Sequence, residues 1–431
     1  TPRYQGAGSS SVNATRVDNL KDAAEADDIT LAGFCAGDER SGTPNPAFVE
    51  EAAALARKAD VVVLCMGLDE SSESEGLDRS HICIPENQKQ LLEAVAQANE
   101  NLVVVLSAGS VVETGWVSRC KAVLNAYLGG QAGAGAMVDV LTGKVNPGGK
   151  LAETWANAYE ETPAKDNFAG AGRTVQYREG LYVGYRYYQT AGVPVAFPFG
   201  YGLSYTSFAY SDLKVTADSV TLTVTNTGAR DGAEIVQVYI AKPGAEIFRP
   251  AQELKAFARV QLAAGESRTV TLPLDDKAFR YWNTRTDCWE VEGGRYEVRV
   301  GASSADIRLT ANVDIRGTNA PVPYAGKALP HYKSGSVQNV PDAEWEALLG
   351  HPIPQDKVKI DRNMTLGELN HSRSPLGWLI WAVLTALLNA SFKKGKPDLN
   401  VLFQYNMPLR ALAKMTSGAI SMGMVDGIVM E

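Results

Sequence analysis

Asp60-Val61-Val62-Val63-Leu64-Cys65-Met66-Gly67 runs directly into Leu68-Asp69-Glu70-Ser71-Ser72-Glu73-Ser74-Glu75-Gly76-Leu77-Asp78-Arg79. The first part is a continuous apolar run, the pattern of a strand covered on both faces. The second is a small, Ser-rich loop with five carboxylates ahead of its one arginine. Upstream, Phe48 to Lys58 is Ala/Glu-rich helical text. Downstream, Pro85-Glu86-Asn87 opens a helix through Ala98, with proline in the first turn, where a missing N–H costs least. Leu102 to Leu106 and Ala122 to Leu128 are two more unalternated runs. Buried strands separated by helices imply parallel crossovers, so this part is an α/β domain with a mostly parallel sheet and flanking helices. The acidic loop then lies past the C-terminal end of a strand, the edge at which such sheets bind ligands.

Gly129-Gly130-Gln131-Ala132-Gly133-Ala134-Gly135 follows the third run and leads into the apolar helix Ala136 to Leu141. Its glycines miss the dinucleotide-binding spacing, and close helix-to-sheet packing explains them without a cofactor. After Phe197-Pro198-Phe199-Gly200-Tyr201-Gly202 the pattern changes to short alternating strands: Ser219 to Thr225, Glu234 to Ile240, Thr269 to Leu274 and Arg295 to Val300, with turn residues between them. This predicts an all-β sandwich. From Ala320 onward come a Pro-rich connector, helical text such as Asp342 to Leu349, and the apolar stretch Leu376 to Leu388 with Trp378 and Trp381. That stretch falls short of the ~20 residues a bilayer requires and reads as a packing helix. Met407, Met415, Met422, Met424 and Met430 read as core filler against a neighbouring part. The division expected is 1–200, 201–316 and 317–431.

The length of 431 residues exceeds what one ordinary core supports, and 45% hydrophobic with 21% charged residues excludes a disordered chain. A formal charge of −8 gives no footprint for nucleic acid. Cys35, Cys65, Cys83, Cys120 and Cys288 are odd in number and form no CxxC pair. They read as buried thiols in a reducing, cytoplasmic compartment, with no metal site. The opening residues show neither a basic n-region nor an apolar h-region, so the start of the gene product is expected upstream.

Among candidate chemistries, Ser107, Ser110 and Glu113 follow a strand, but no GxSxG is present, and the four histidines, His81, His331, His351 and His371, do not suggest a Ser-His-Asp triad. The aromatic run Tyr182 to Tyr188 could stack on sugars; at alternating strand positions it reads as core. The carboxylate loop remains, as either a solvated acidic turn or a site.

Five stretches together resemble glycoside hydrolase family 3. They are Pro2-Arg3-Tyr4-Gln5-Gly6-Ala7-Gly8-Ser9-Ser10, Glu75-Gly76-Leu77-Asp78-Arg79, Asn146-Pro147-Gly148-Gly149-Lys150-Leu151, Tyr177 to Tyr188, and Phe197 to Thr206, in family order. The resemblance implies an α/β sandwich over residues 1 to about 200 and a fibronectin-type-III-like domain over about 201 to 316, followed by a helical C-terminal extension. It implies a retaining β-glycosidase, foremost a β-glucosidase acting on terminal non-reducing β-D-glucosyl residues of a β-glucoside or short oligosaccharide, with no cofactor. The family's Glu-Gly-x-Asp-Arg pattern carries the acid/base role onto Glu75, with Glu73 as the competing position. Arg79 is expected to anchor the loop through a carboxylate. The nucleophilic aspartate belongs to a barrel that precedes this region in the family, so it is expected from a separate barrel chain or fragment. The C-terminal helices are expected to pack on that barrel or on a second subunit. The competing expectations are a catalytically silent carbohydrate-binding or scaffold protein, and β-xylosidase specificity.

Overall fold

The computed structural model describes residues 3–27, 29–40, 42–170, 174–355, 359–394 and 398–430. Thr1 and Pro2, the latter part of the opening motif, and the side chain of Met430 lie outside the described residues. The chain divides into two compact units, one of Thr1–Val138, Ala169–Val175 and Gln355–Glu431, the other of Asp139–Phe168 and Gln176–Pro354.

The first unit opens with helices α1 (Leu20–Ala26) and α2 (Pro46–Ala56); the Asn45 side chain caps α2 by accepting from the Phe48 N–H, and Pro46 occupies its first turn. Then follow β1 (Val62–Gly67), α3 (Glu86–Ala98), β2 (Leu102–Ser107), β3 (Ala122–Asn125) and α4 (Gly133–Leu141), the last ending inside the second unit. The three strands form a parallel sheet in the order β1-β2-β3, with Val62 opposite Leu102 and Val103 opposite Ala122. In the central strand Leu102, Val104, Val105 and Leu106 are buried, as its unalternated text predicts. β1 departs from that expectation: Leu64 and Met66 are buried, whereas Val63 and Cys65 are exposed. Successive side chains point to opposite faces, and this edge strand has one face open among the described residues. The cysteines depart likewise. All five are free, Cys65 and Cys288 exposed and the others half-buried, because they sit on edge positions and loops instead of the central strand.

The second unit carries a short helix, α5 (Tyr185–Ala191), and an antiparallel sandwich. Its strands are β4 (Phe208–Val215), β5 (Ser219–Asn226), β6 (Gly232–Ala241), β7 (Glu253–Leu262), β8 (Ser267–Pro273), β9 (Arg280–Asn283), β10 (Cys288–Val291), β11 (Gly294–Gly301) and β12 (Ile307–Ile315). One sheet is ordered β4-β5-β8 and the other β12-β11-β6-β7, with β9 and β10 forming a hairpin. Val220, Leu222 and Val224 face Val236, Val238, Val298 and Val300 in one core. On the opposite face of β5, Thr221, Thr223 and Thr225 meet Thr271, Thr269 and Ser267 of β8 in a ladder of hydroxyl hydrogen bonds. Tyr182, Tyr187 and Tyr188 are core residues, packed with Leu329, Tyr332 and Trp345 of the connector region, where α6 (Pro330–Ser334) and α7 (Asp342–Leu349) lie. Tyr187 and Tyr188 sit on a helix, not a strand: Tyr185 to Ala191 turn at helical period, ended by Gly192 at φ 70°, and Tyr182 precedes the helix outside any strand.

The chain then returns to the first unit with α8 (Pro375–Lys393), α9 (Leu399–Asn406), α10 (Leu409–Met415) and α11 (Met422–Met430). Met364, Leu369, Leu409 and Val425 form their small core, with Trp381 and Val429 packed against it. The expectation that the apolar stretch is too short to span a bilayer is corrected. Ser374 caps the helix and Asn389 and Ser391 continue it, giving 19 residues, long and apolar enough to cross a membrane by length and composition. Nor is it a buried packing helix, since only 6% of its apolar window is buried. Of the methionines, Met407 is core, while Met415, Met422 and Met424 are exposed.

Candidate active-site loop

The loop that leaves β1 is pinned first by backbone geometry. At Gly67 a Cβ would collide with the Ser107 carbonyl at the end of β2, so the strand ends approach as closely as they do only because residue 67 is glycine. Asp69 accepts from the backbone N–H of Ser71 at 2.9 Å and from its hydroxyl, and its carbonyl accepts from the Ser72 and Glu73 N–H groups, closing a turn. Arg40 pairs with Asp69 and Glu70.

Glu73 is turned inward. Its carboxylate accepts from the Gly109 N–H at 2.8 Å and the Ser110 hydroxyl at 2.5 Å, just past the end of β2. Two guanidinium groups flank it, those of Arg3 and Arg79, each 3.8 Å away. Arg79 also donates to the Ser110 hydroxyl and the Val111 carbonyl, and Arg3 to the Leu68 carbonyl at 2.7 Å. Arg79 therefore anchors the loop through a carboxylate, as expected from the sequence, and that carboxylate is Glu73. Ser110 serves this anchor: its hydroxyl donates to Glu73 and accepts from Arg79.

Glu75 faces the other way. Its side chain is exposed, and its backbone N–H donates to the Ala7 carbonyl at 3.1 Å. Its Oε2 accepts from both the N–H (2.5 Å) and the hydroxyl (2.8 Å) of Ser9. Those two hydrogen bonds, the backbone one foremost, hold the Glu75 carboxyl below the usual carboxylate range. Desolvation opposes them, as the smallest of the three effects. The following residue, Gly76, adopts φ 79° and lies against Leu402 of α9, a buried side chain whose Cδ2 would be 3.3 Å from a Cβ there. The loop thus sits between the opening segment and the C-terminal helices of the same unit.

Sequence reasoning gave the loop and its two inner glutamates but missed Gly8 and Ser9 as the neighbours of Glu75. The signal was present in the Gly-x-Gly-Ser-Ser opening, since a glycine ahead of serines suits a backbone that must come close to another group. Among the described residues no group of His, Cys, Asp or Glu is placed to hold a metal ion. His331 pairs with Glu344 at 2.5 Å in the other unit.

Comparison with known proteins places this loop in a family. Residues 1–205 match the glycosyl hydrolase family 3 C-terminal domain, and residues 234–304 match a fibronectin type III-like domain. The chain belongs to glycoside hydrolase family 3. A thermostable β-glucosidase B of Acetivibrio thermocellus is 45% identical over 328 residues, 74% of this chain and 43% of that protein. An exo-α-(1→6)-L-arabinopyranosidase of Bifidobacterium breve is 44% identical, again over 74% of this chain and 43% of its own length. The family 3 β-glucosidase structure of Bifidobacterium adolescentis superposes with a TM-score of 0.71 at 39% identity, covering 88% of this chain and 51% of that one. This chain therefore spans about 43% of the length of these two curated relatives.

Proposed function

We propose that this chain is the part of a retaining β-glycosidase that supplies the general acid/base, Glu75, for hydrolysis of terminal non-reducing β-D-glucosyl residues. The observation that carries this reading is the contrast between the two inner glutamates of the loop. Glu73 is committed to two hydrogen bonds and two guanidinium groups, while Glu75 projects to solvent past the C-terminal end of β1 with Oε1 uncommitted among the described residues. Retaining hydrolysis needs a second carboxylate roughly 5–5.5 Å away as nucleophile. In this reading an aspartate of a barrel domain or chain provides it, with 1–200, 201–316 and 317–431 as the division of the present chain.

Glu75 donates its proton to the glycosidic oxygen as the nucleophile attacks the anomeric carbon; the C–O bonding pair leaves with the alcohol. Glu75 then takes a proton from water, which attacks the glycosyl-enzyme and releases the sugar with retained configuration. Since Ser9 holds the carboxyl low in this chain, the rise needed for proton donation has to come from the negative nucleophile and from closure over the sugar. The relatives named above include enzymes for glucosides and for arabinopyranosides, so glucoside, arabinopyranoside and xyloside are the specificities to separate.

The test is hydrolysis of p-nitrophenyl β-D-glucoside, α-L-arabinopyranoside and β-D-xyloside by the complete enzyme, as wild type and Glu75→Ala. The expected loss in kcat is about 10²–10⁴-fold, with azide restoring part of it and yielding a β-glycosyl azide. Unchanged activity in the variant would move the role elsewhere, and a wild type inert on all three would favour a carbohydrate-binding or scaffold role.

A further inference from the structure

Both Ser9 donors converge on one oxygen of Glu75, although the loop does not need them to close. The turn at Asp69, the Arg40 pair and the Glu73 anchor already fix its path. The opening segment comes close by a demanding route. Gly8 has φ 108°, a conformation that favours glycine, and a Cβ there would fall 2.5 Å from the Glu75 Cβ. Residues 7 to 9 therefore form a cradle around this one exposed carboxylate: the Ala7 carbonyl takes the Glu75 N–H, Gly8 makes room for the side chain, and Ser9 grips Oε2.

Resting on the acid/base reading of Glu75, we propose that Ser9 is its positioning residue, fixing the carboxyl plane through Oε2 so that Oε1 is the oxygen that gives and takes the proton. With Oε2 occupied by two donors, a proton on Glu75 resides on Oε1. It passes from there to the glycosidic oxygen in the first step, and a water proton returns to the same atom in the second. The two donors stabilise the ionised form left after donation, which is the form required as base. Ser9 itself touches neither substrate nor nucleophile in this scheme; it acts through Glu75.

The experiment compares Ser9→Ala and Ser9→Thr with wild type in the complete enzyme. For Ser9→Ala the expected results are a kcat reduced about tenfold, KM within about twofold, and a basic limb of the kcat/KM profile moved to higher pH, because a donor to the carboxylate is gone. Ser9→Thr, which keeps the hydroxyl, restores kcat and the limb. In parallel, the Glu75 carboxyl is titrated by ¹³C NMR, assigned by the resonance absent from Glu75→Gln. Its midpoint moves up in Ser9→Ala and returns in Ser9→Thr. An unmoved midpoint together with a superimposable pH profile overturns the proposal. The titration needs no turnover: a Glu75 midpoint that follows the Ser9 hydroxyl in a protein inert toward glycosides would sustain the pairing while the glycosidase reading fell.

Discussion

Replacing Glu73 by alanine removes a carboxylate that is 12% exposed and leaves the side chains of Arg3 and Arg79, 12% and 17% exposed, without that counter-ion. Two hydrogen bonds to a charged acceptor disappear with it, from the Gly109 N–H at 2.8 Å and the Ser110 hydroxyl at 2.5 Å. Each is worth about 1.5–3 kcal/mol. At 3.8 Å, each guanidinium contributes roughly 4 kcal/mol of gross attraction at an effective dielectric near 20. Most of that is offset by the desolvation of the ions, so the expected net loss is about 3–5 kcal/mol, the range for breaking a largely buried pair. This is a large share of the ~5–15 kcal/mol that stabilises an ordinary domain. Glu73→Gln, which keeps an acceptor for Gly109, should cost visibly less. Urea unfolding followed by tryptophan fluorescence measures the difference, and activity assayed well below the midpoint should fall far less than in Glu75→Ala. A Glu73→Ala protein of wild-type stability that has lost activity with azide-rescuable kinetics would refute the assignment and exchange the roles of the two glutamates.

Asp38 offers a pH-linked test. Burial first, then the neighbouring Glu39 charge, raise its carboxyl above the usual value against an opposing hydrogen bond from Gln88. A carboxyl raised on folding contributes stability that is present below the unfolded value of about 4 and lost as pH rises through the folded one. The stability of Asp38→Asn relative to wild type should therefore improve between about pH 4 and neutrality and then level off; a difference independent of pH would contradict this. Leu402→Ala, which empties a buried position against Gly76, should cost about 2–4 kcal/mol and speed amide exchange at residues 74–77. Protection unchanged there would show that α9 does not support the loop.

Much of the architecture was legible because burial on both faces leaves an uninterrupted apolar signature. Leu102 to Leu106 is the central strand of the parallel sheet, and Ser219 to Thr225, with its alternation, is the middle of the three-stranded sandwich sheet. Edges were less legible. β1 carries apolar text on a face open among the described residues, and β7, Glu253–Leu262, breaks its apolar text with Glu253, Lys255, Arg259 and Gln261, the last two exposed beside Phe257. At Tyr185 to Ala191 a run of tyrosines obeys either period, and only packing against Leu329 and Tyr332 decides for the helix. In the loop, Glu73 and Glu75 are two residues apart with the same chemistry. What distinguishes them is contributed by Arg3 and Ser9 from one direction and Gly109 and Ser110 from the other, all more than thirty positions away in the chain.

The opening segment is joined to the loop by contacts that are all non-covalent: Arg3 to the Leu68 carbonyl, Ala7 to the Glu75 N–H, and Ser9 to the carboxylate, with the Tyr4 carbonyl accepting from Gly130. Chain connectivity keeps these partners at a high effective concentration, so a handful of hydrogen bonds suffices. A proteolytic nick in the stretch 11–18 would leave every atom of the cradle in place yet remove the short covalent tether that holds Ser9 beside Glu75. The nicked protein would then lose the Ser9 contact at a lower urea concentration than the intact one, read as an earlier rise of amide exchange at residues 74–77.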